Sequence, residues 1–209
     1  MHEWSTENLL HRAREIALWE AEAVYSVAGQ VSESLIPILE ALIQCQGHVL
    51  VTGVGTSRFV AERMAHLLSS CGTPAMYVSA PDCLHGGIGT VTAQNVVLII
   101  SKGGQSVEIN QFAGLAKARG AKIIAMTETF HSPLAEIADF IYKIIVPRDV
   151  DPFGMVAMGT SLVYSMAGDV LCRLLMEVKG YSYEDFKATQ PGGAVGQKIR
   201  NVENAVKRF

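Results

Sequence analysis

The chain has 209 residues, 17 Lys and Arg against 20 Asp and Glu, and a formal net charge of −3. Its mass of 22.5 kDa suits one domain, and a globule of that size buries roughly 70% of the surface its unfolded chain exposes. With 49% apolar and only 18% charged residues it is too apolar for a disordered chain, and a pI near 6.1 leaves no basic footprint for nucleic acid. Cys45, Cys71, Cys83 and Cys172 form no C-x-x-C pair, which argues against a zinc pattern or a disulfide framework and fits the cytoplasm. The N-terminus has neither a basic region nor an apolar core, so no signal peptide is expected. The uncharged stretch 152–168 is too short and too rich in Gly, Ser and Thr for a spanning helix, so no membrane is expected either.

The first predicted element is a helix over 7–27, with Leu9, Ile16, Ala17, Val24 and Val27 at helical spacing. A second runs from Ser32 to Cys45, with Leu35, Ile38, Leu39 and Leu42 on one stripe and Gly47 as its stop. A strand over 48–52 ends in Gly53-Val54-Gly55-Thr56-Ser57, and a helix follows from Arg58 to Ser70. Ala75–Val78 reads as the second strand. Val96–Ile100 is the third, so rich in branched residues that both its faces should be buried. A helix over 106–119, a strand over 122–127, a helical turn over 133–138 and a strand over 140–146 come next. A helix over 156–178 ends at Gly180 and is apolar around most of its circumference. Strands alternating with helices predict an α/β fold: a doubly wound, five-stranded parallel sheet flanked by helices, with residues 1–46 as an N-terminal helical extension and 47–209 as the main domain.

In such a sheet, ligands bind beyond the carboxyl ends of the strands. Two strand ends there combine glycines, hydroxyls and a helix start: 53–57 and Ser101-Lys102-Gly103-Gly104-Gln105-Ser106. Glycines let backbone approach an anion, and helix N-terminal N–H groups can hold a phosphate. Other phosphate and hydrolase motifs fail. Arg58 stands where a dinucleotide fingerprint needs its third glycine, Ser79 and Ala80 follow the second strand where it needs an acid, and neither a P-loop nor a G-x-S-x-G elbow occurs. The six histidines show no ligand spacing, so no metal is expected.

These loops, together with the tail Gly180-Tyr181-Ser182-Tyr183-Glu184-Asp185-Phe186-Lys187-Ala188-Thr189-Gln190-Pro191-Gly192-Gly193-Ala194-Val195-Gly196, resemble the sugar isomerase (SIS) domain family, closest to the arabinose 5-phosphate isomerase branch without its CBS domains. Leu84–Gly89 is similar to that branch's A-H-G-D-L-G, and Asp151–Met155 sits where it has C-P-L-G-L. The likeness covers residues 35 to 200 or so. It implies an SIS fold, a sugar phosphate as ligand, and interconversion of aldose and ketose phosphates through an enediol, chemistry for which no metal and no organic cofactor is expected. Gly55, Thr56, Ser57, Ser101, Gly103, Gln105 and Ser106, joined by Gln190 and Lys198 of the tail, would bind the substrate. His85 and Asp149 would move protons, with Glu108 in reserve. The resemblance also implies assembly, expected here as a homotetramer built from a dimer of dimers. Thr56, Gln105, Asp149 and Gln190 replace a lysine, two glutamates and a histidine of the branch. The second reading is therefore a phosphosugar-binding sensor or regulatory module without catalysis. Lys102 and the 148–151 turn are expected to face solvent, and Ser106 to cap its helix.

Overall fold

The chain is described by a computed structural model covering residues 5–146 and 150–206. The N-terminal helix α1 spans Thr6–Tyr25, with the Ser5 hydroxyl accepting the Asn8 N–H at 3.2 Å, and a 3-10 turn leads to α2, Leu35–Ile43. The sheet then begins: β1 Val49–Gly53, α3 Thr56–Ser70, β2 Ala75–Tyr77, a one-turn α4 at Ala80–Cys83, β3 Val96–Ile100 and α5 Val107–Ala118. The rest is β4 Lys122–Thr127, α6 Pro133–Ile137, β5 Phe140–Lys143, the long α7 Gly159–Lys179, α8 Tyr183–Thr189 and α9 Gly193–Val206.

All five strands are parallel, in the order β2-β1-β3-β4-β5. Side chains alternate across each strand, and the two faces build two cores. Val49, Val51, Val96, Leu98, Ile100, Ile124 and Met126 face α2, α3 and α7, while Leu50, Val97, Ile99, Ile123 and Ala125 face α5 with Phe112 at its centre. Every residue of β1 and β3 is buried, as a strand covered on both sides requires. The sheet is thus the doubly wound one that the strand–helix alternation predicts.

Most boundary differences have a local cause. Helix α3 starts at Thr56 because Gly55 takes φ +58°, which lets the chain leave the strand and enter the helix within two residues. β5 stops at Lys143, where its register with Thr127 ends, and the Gln30 side chain then replaces a strand neighbour. Its amide donates to the Ile145 carbonyl and accepts the Ile145 N–H, both at 2.7 Å. The long helix starts at Gly159 rather than 156. The Thr160 N–H is taken by the Asp151 carboxylate at 3.3 Å, and a 3-10 turn over Pro152–Gly154 precedes it. Three helices carried no sequence expectation: α4, which Ser79 caps, α8, where Ser182 and Asp185 form a reciprocal capping box, and α9.

The predicted apolar girdle of α7 resolves into two faces. Val163, Tyr164, Ala167, Leu171 and Leu175 are buried, whereas Leu162 and Met166 are exposed. On α1 the difference is larger: Ala23 is its one buried residue, and Leu9, Leu10 and Leu18 are each more than half exposed. Among the described residues no single helix is long and apolar enough to cross a membrane.

Candidate functional site

The strand order reverses between β1 and β3. β1 leads outward to β2, while β3 leads the other way to β4, so a crevice opens beyond their carboxyl ends. Their register pairs Gly53 with Ile100, which sets the two loops 53–57 and 101–106 side by side. Helices α3 and α5 start from these loops. Helix α7 joins them, because Thr160 and Ser161 line the same small cavity as Thr56, Ser57 and Ile100. The N-termini of α3 and α7 meet there, α5 starts from the neighbouring loop, and helix dipoles at such a place favour a negative charge.

The second loop is held rigidly from behind. The Ser101 N–H donates to the Met126 carbonyl at 3.0 Å, and the Lys102 carbonyl accepts from Glu128 N–H at 3.0 Å and Thr127 Oγ1 at 2.8 Å. The Gly104 carbonyl accepts from Leu134 N–H at 3.3 Å and Asn110 Nδ2 at 3.2 Å. The carbonyls of Lys102 and Gly104 are therefore used inward. The N–H groups of Lys102, Gly103, Gly104, Gln105 and Ser106, by contrast, donate to no protein acceptor among the described residues. Ser106 stands at the N-cap position of α5 without a side-chain cap hydrogen bond, contrary to the capping expectation, so its hydroxyl remains available to a ligand. Ser101 is buried at the base of the loop, and Gly103 and Gln105 are exposed at its tip.

On the first loop Gly55 and Thr56 are exposed and Ser57 is half-buried. Arg58, beside them, is engaged by Glu62 at 2.7 Å. Tyr164 forms a wall of the cavity. Burial pushes its phenol well above the ordinary tyrosine range, so it stays protonated and works as packing.

Two expectations about charges are corrected. Asp151 is not part of a solvated turn: it is 6% exposed, and its Oδ2 accepts the Thr160 hydroxyl at 2.6 Å. Lys102 is not a free loop lysine. Its Nζ lies 3.3 Å from Thr160 Oγ1 and 3.8 Å from Asp151 Oδ2. Sequence reading missed Thr160 and Ser161 altogether, and the available signal was a Thr-Ser pair opening a helix that carries no charge before Asp169.

The remaining candidates are dispersed. His85 is exposed just after α4, with its backbone N–H on the Asp82 carbonyl at 3.0 Å and no side-chain hydrogen bond to either loop among the described residues. Asp149 lies outside the described residues. Gln190 ends α8, and Lys198 is exposed on α9. The tail docks at the far end of α3: Tyr181 Oη donates to the Ser70 carbonyl at 2.8 Å, and Lys179 Nζ donates to Thr73 Oγ1 at 2.9 Å. The 15 residues of α3 at a rise of about 1.5 Å each put roughly 20 Å between that contact and the first loop. Gln190, next to Thr189 at the Ser70 end, is thus remote from the cleft of its own chain. Among the described residues no three His, Cys, Asp or Glu side chains converge as metal ligands.

Comparison with known proteins agrees with this architecture. The chain is 29% identical over 196 residues to arabinose 5-phosphate isomerase GutQ of Salmonella typhimurium, covering 94% of this chain and 61% of that protein. It is 32% identical over 192 residues to arabinose 5-phosphate isomerase KdsD of Pseudomonas aeruginosa, covering 92% of this chain and 59% of that one. The chain therefore spans less than two thirds of the length of these relatives. Among solved structures, E. coli CFT073 c3406, in complex with arabinose 5-phosphate, has a TM-score of 0.86 at 30% identity, covering 90% of this chain and 100% of that chain. Residues 42–173, which hold β1 to β5, both glycine loops and most of α7, match the SIS domain, and the chain belongs to the SIS-domain family.

Proposed function

We propose that this chain binds a sugar phosphate at the carboxyl ends of β1 and β3 and interconverts aldose and ketose phosphates through an enediol. The observation that carries the reading is the row of five N–H groups, Lys102 to Ser106, which find no acceptor among the described residues and stand on a clamped glycine loop beside two further helix starts. A phosphate dianion satisfies such a row. The hydroxyls of Ser101, Ser106, Thr56 and Ser57, with the backbone of Gly55 and Gly103 and the Gln105 side chain, complete the binding set. Relatives named as arabinose 5-phosphate isomerases, and the arabinose 5-phosphate complex of c3406, support a pentose phosphate as the substrate class.

Isomerisation requires a base that moves a proton between adjacent carbons and donors that polarise the carbonyl. His85 and Asp149 are the groups proposed for proton transfer, Glu108 standing behind them in the first turn of α5. Exchange of the C1/C2 proton of ribulose 5-phosphate and of several aldose phosphates with D₂O, followed by NMR, tests the assignment. The expected result is exchange into at least one pair. Tight binding of a sugar phosphate with no exchange in any would instead select the sensor reading. That alternative is favoured by the uncharged side chains of Thr56, Gln105 and Gln190.

Assembly into a homotetramer in the cytoplasm belongs to the same proposal. The exposed leucines of α1 and the outer face of α7 are apolar surface that a second copy would cover. The tail, roughly 20 Å from its own first loop by the length of α3, would bring Gln190 and Lys198 to a neighbour's cleft. Light scattering at micromolar concentration is expected to give a mass near four times 22.5 kDa. A monomer with full ligand affinity would remove the tail residues from the site.

A further inference from the structure

Lys102 is unusual among the charged groups beside the cleft. Its backbone is fixed within the row of N–H groups, since its carbonyl accepts two hydrogen bonds from β4 and the residue after it. Its side chain crosses to the N-terminus of α7, 58 residues away, and places Nζ 3.3 Å from Thr160 Oγ1. Thr160 in turn lines the cavity that Thr56, Ser57 and Ile100 share. The ammonium therefore stands where the second loop, the first loop and the start of α7 meet.

Its counter-ion is placed differently. The Asp151 side chain is only 2% exposed, against 38% for that of Lys102. Asp151 is held by the Thr160 N–H at 3.3 Å and the Thr160 hydroxyl at 2.6 Å. The carboxylate has hydrogen-bonded support without the lysine, and 3.8 Å to Nζ is a charge contact longer than a hydrogen bond. An ammonium has three donors, and Thr160 takes one of them. Lys102 thus retains donors among the described residues and more than a third of its accessibility, while Asp151 is sealed beneath it.

We propose that Lys102 is a phosphate-binding cation of this cleft, and that Asp151, seated on Thr160, is a positioning residue that competes with that phosphate for the lysine and so sets the affinity. The inference rests on the sugar-phosphate reading above and adds to it an affinity set by two opposed charges. A merely structural ion pair would respond to loss of either partner in the same direction. A competing pair responds in opposite directions.

Isothermal titration of the full chain with ribulose 5-phosphate and, separately, with inorganic phosphate distinguishes the two. Lys102→Met is expected to weaken both by about tenfold or more, since a hydrogen bond to a charged group is worth about one such factor. It should also flatten the dependence of affinity on ionic strength. Lys102→Arg should retain more affinity than the methionine variant. Asp151→Asn keeps an acceptor for Thr160 but removes the competing charge, and is expected to tighten binding by about threefold or more. In the Lys102→Met background the same change should do nothing. Thermal melting verifies folding. Because the Lys102 side chain is more than a third exposed, its variant decides the matter even where Asp151→Asn fails to fold. Unchanged affinity in folded Lys102→Met, or weakening by Asp151→Asn equal to that of Lys102→Met, would overturn the inference while leaving the sugar-phosphate reading intact. Wild type that binds neither probe would overturn that reading, and this inference with it.

Discussion

Ser101→Ala combined with Ser106→Ala is expected to weaken sugar-phosphate binding by at least about tenfold, because each hydroxyl offers an anion a hydrogen bond worth about 1.5–3 kcal/mol and about 1.4 kcal/mol is tenfold. The two serines bracket the clamped loop. Ser101 is buried at its base beside β4, and Ser106 stands at the start of α5 with a hydroxyl that does not cap the helix. Alanine at 106 therefore removes no cap from α5. The N–H groups between the two positions survive the change, so binding should be reduced rather than abolished. Calorimetric titration of the double variant against wild type measures the effect. Equal affinity in a folded double variant would place the phosphate elsewhere than on this loop.

Gly104→Ala is expected to have the largest effect on stability of any single change in the loop. Gly104 is buried with φ +63°, a conformation that costs an L-residue about 1–2 kcal/mol. An added Cβ would run into Ser132 Oγ, lie 2.8 Å from Ser132 Cβ and 3.3 Å from Leu134 Cβ. Ser132 cannot retreat freely, since it is buried and its hydroxyl accepts the Ala135 N–H to cap α6. Overpacking of this kind adds about 1–3 kcal/mol. The sum is about 2–5 kcal/mol, which in a chain of this length lowers the melting temperature by about 5–15 °C. Gly103→Ala is the control. It is exposed, its φ is not positive, and its new Cβ would meet nothing closer than Gln105 Cγ at 3.9 Å. Its stability should stay within about 0.5 kcal/mol of wild type. Thermal unfolding of the pair checks both, and equal melting temperatures would show that the loop yields where it is described as clamped.

Much of the architecture can be read directly from the chain, because its signals are local. The branched run Val96–Ile100 declares a strand buried on both faces, and five such runs separated by helical periods declare a parallel sheet. Gly47, Gly120 and Gly180 mark element ends, and Ser182 with Asp185 three residues later is a capping box that could have been read and was not. The glycine–hydroxyl loops after the first and third strands are also local, and both open helices at the carboxyl edge, as their composition suggests.

What the amino-acid order by itself determined is thus the fold class, the two loops and the ligand chemistry they suit: periods of two and of 3.6, turn glycines and helix starts act over a few residues. Only the tertiary structure decided how those loops are armed. It placed the strand reversal between β1 and β3, engaged the carbonyls of Lys102 and Gly104 with β4, α5 and α6 while leaving five N–H groups without an acceptor among the described residues, and brought Asp151 and Thr160 under Lys102 from some fifty residues away. It also carried the tail to the wrong end of α3 for its own cleft, and left the leucines of α1 uncovered where periodicity suggested a packed stripe. Contacts between distant segments depend on which faces meet once the sheet is wound. Neither spacing nor composition encodes that meeting, so a charge that reads as a solvated turn in sequence can be the buried partner of a lysine in the fold.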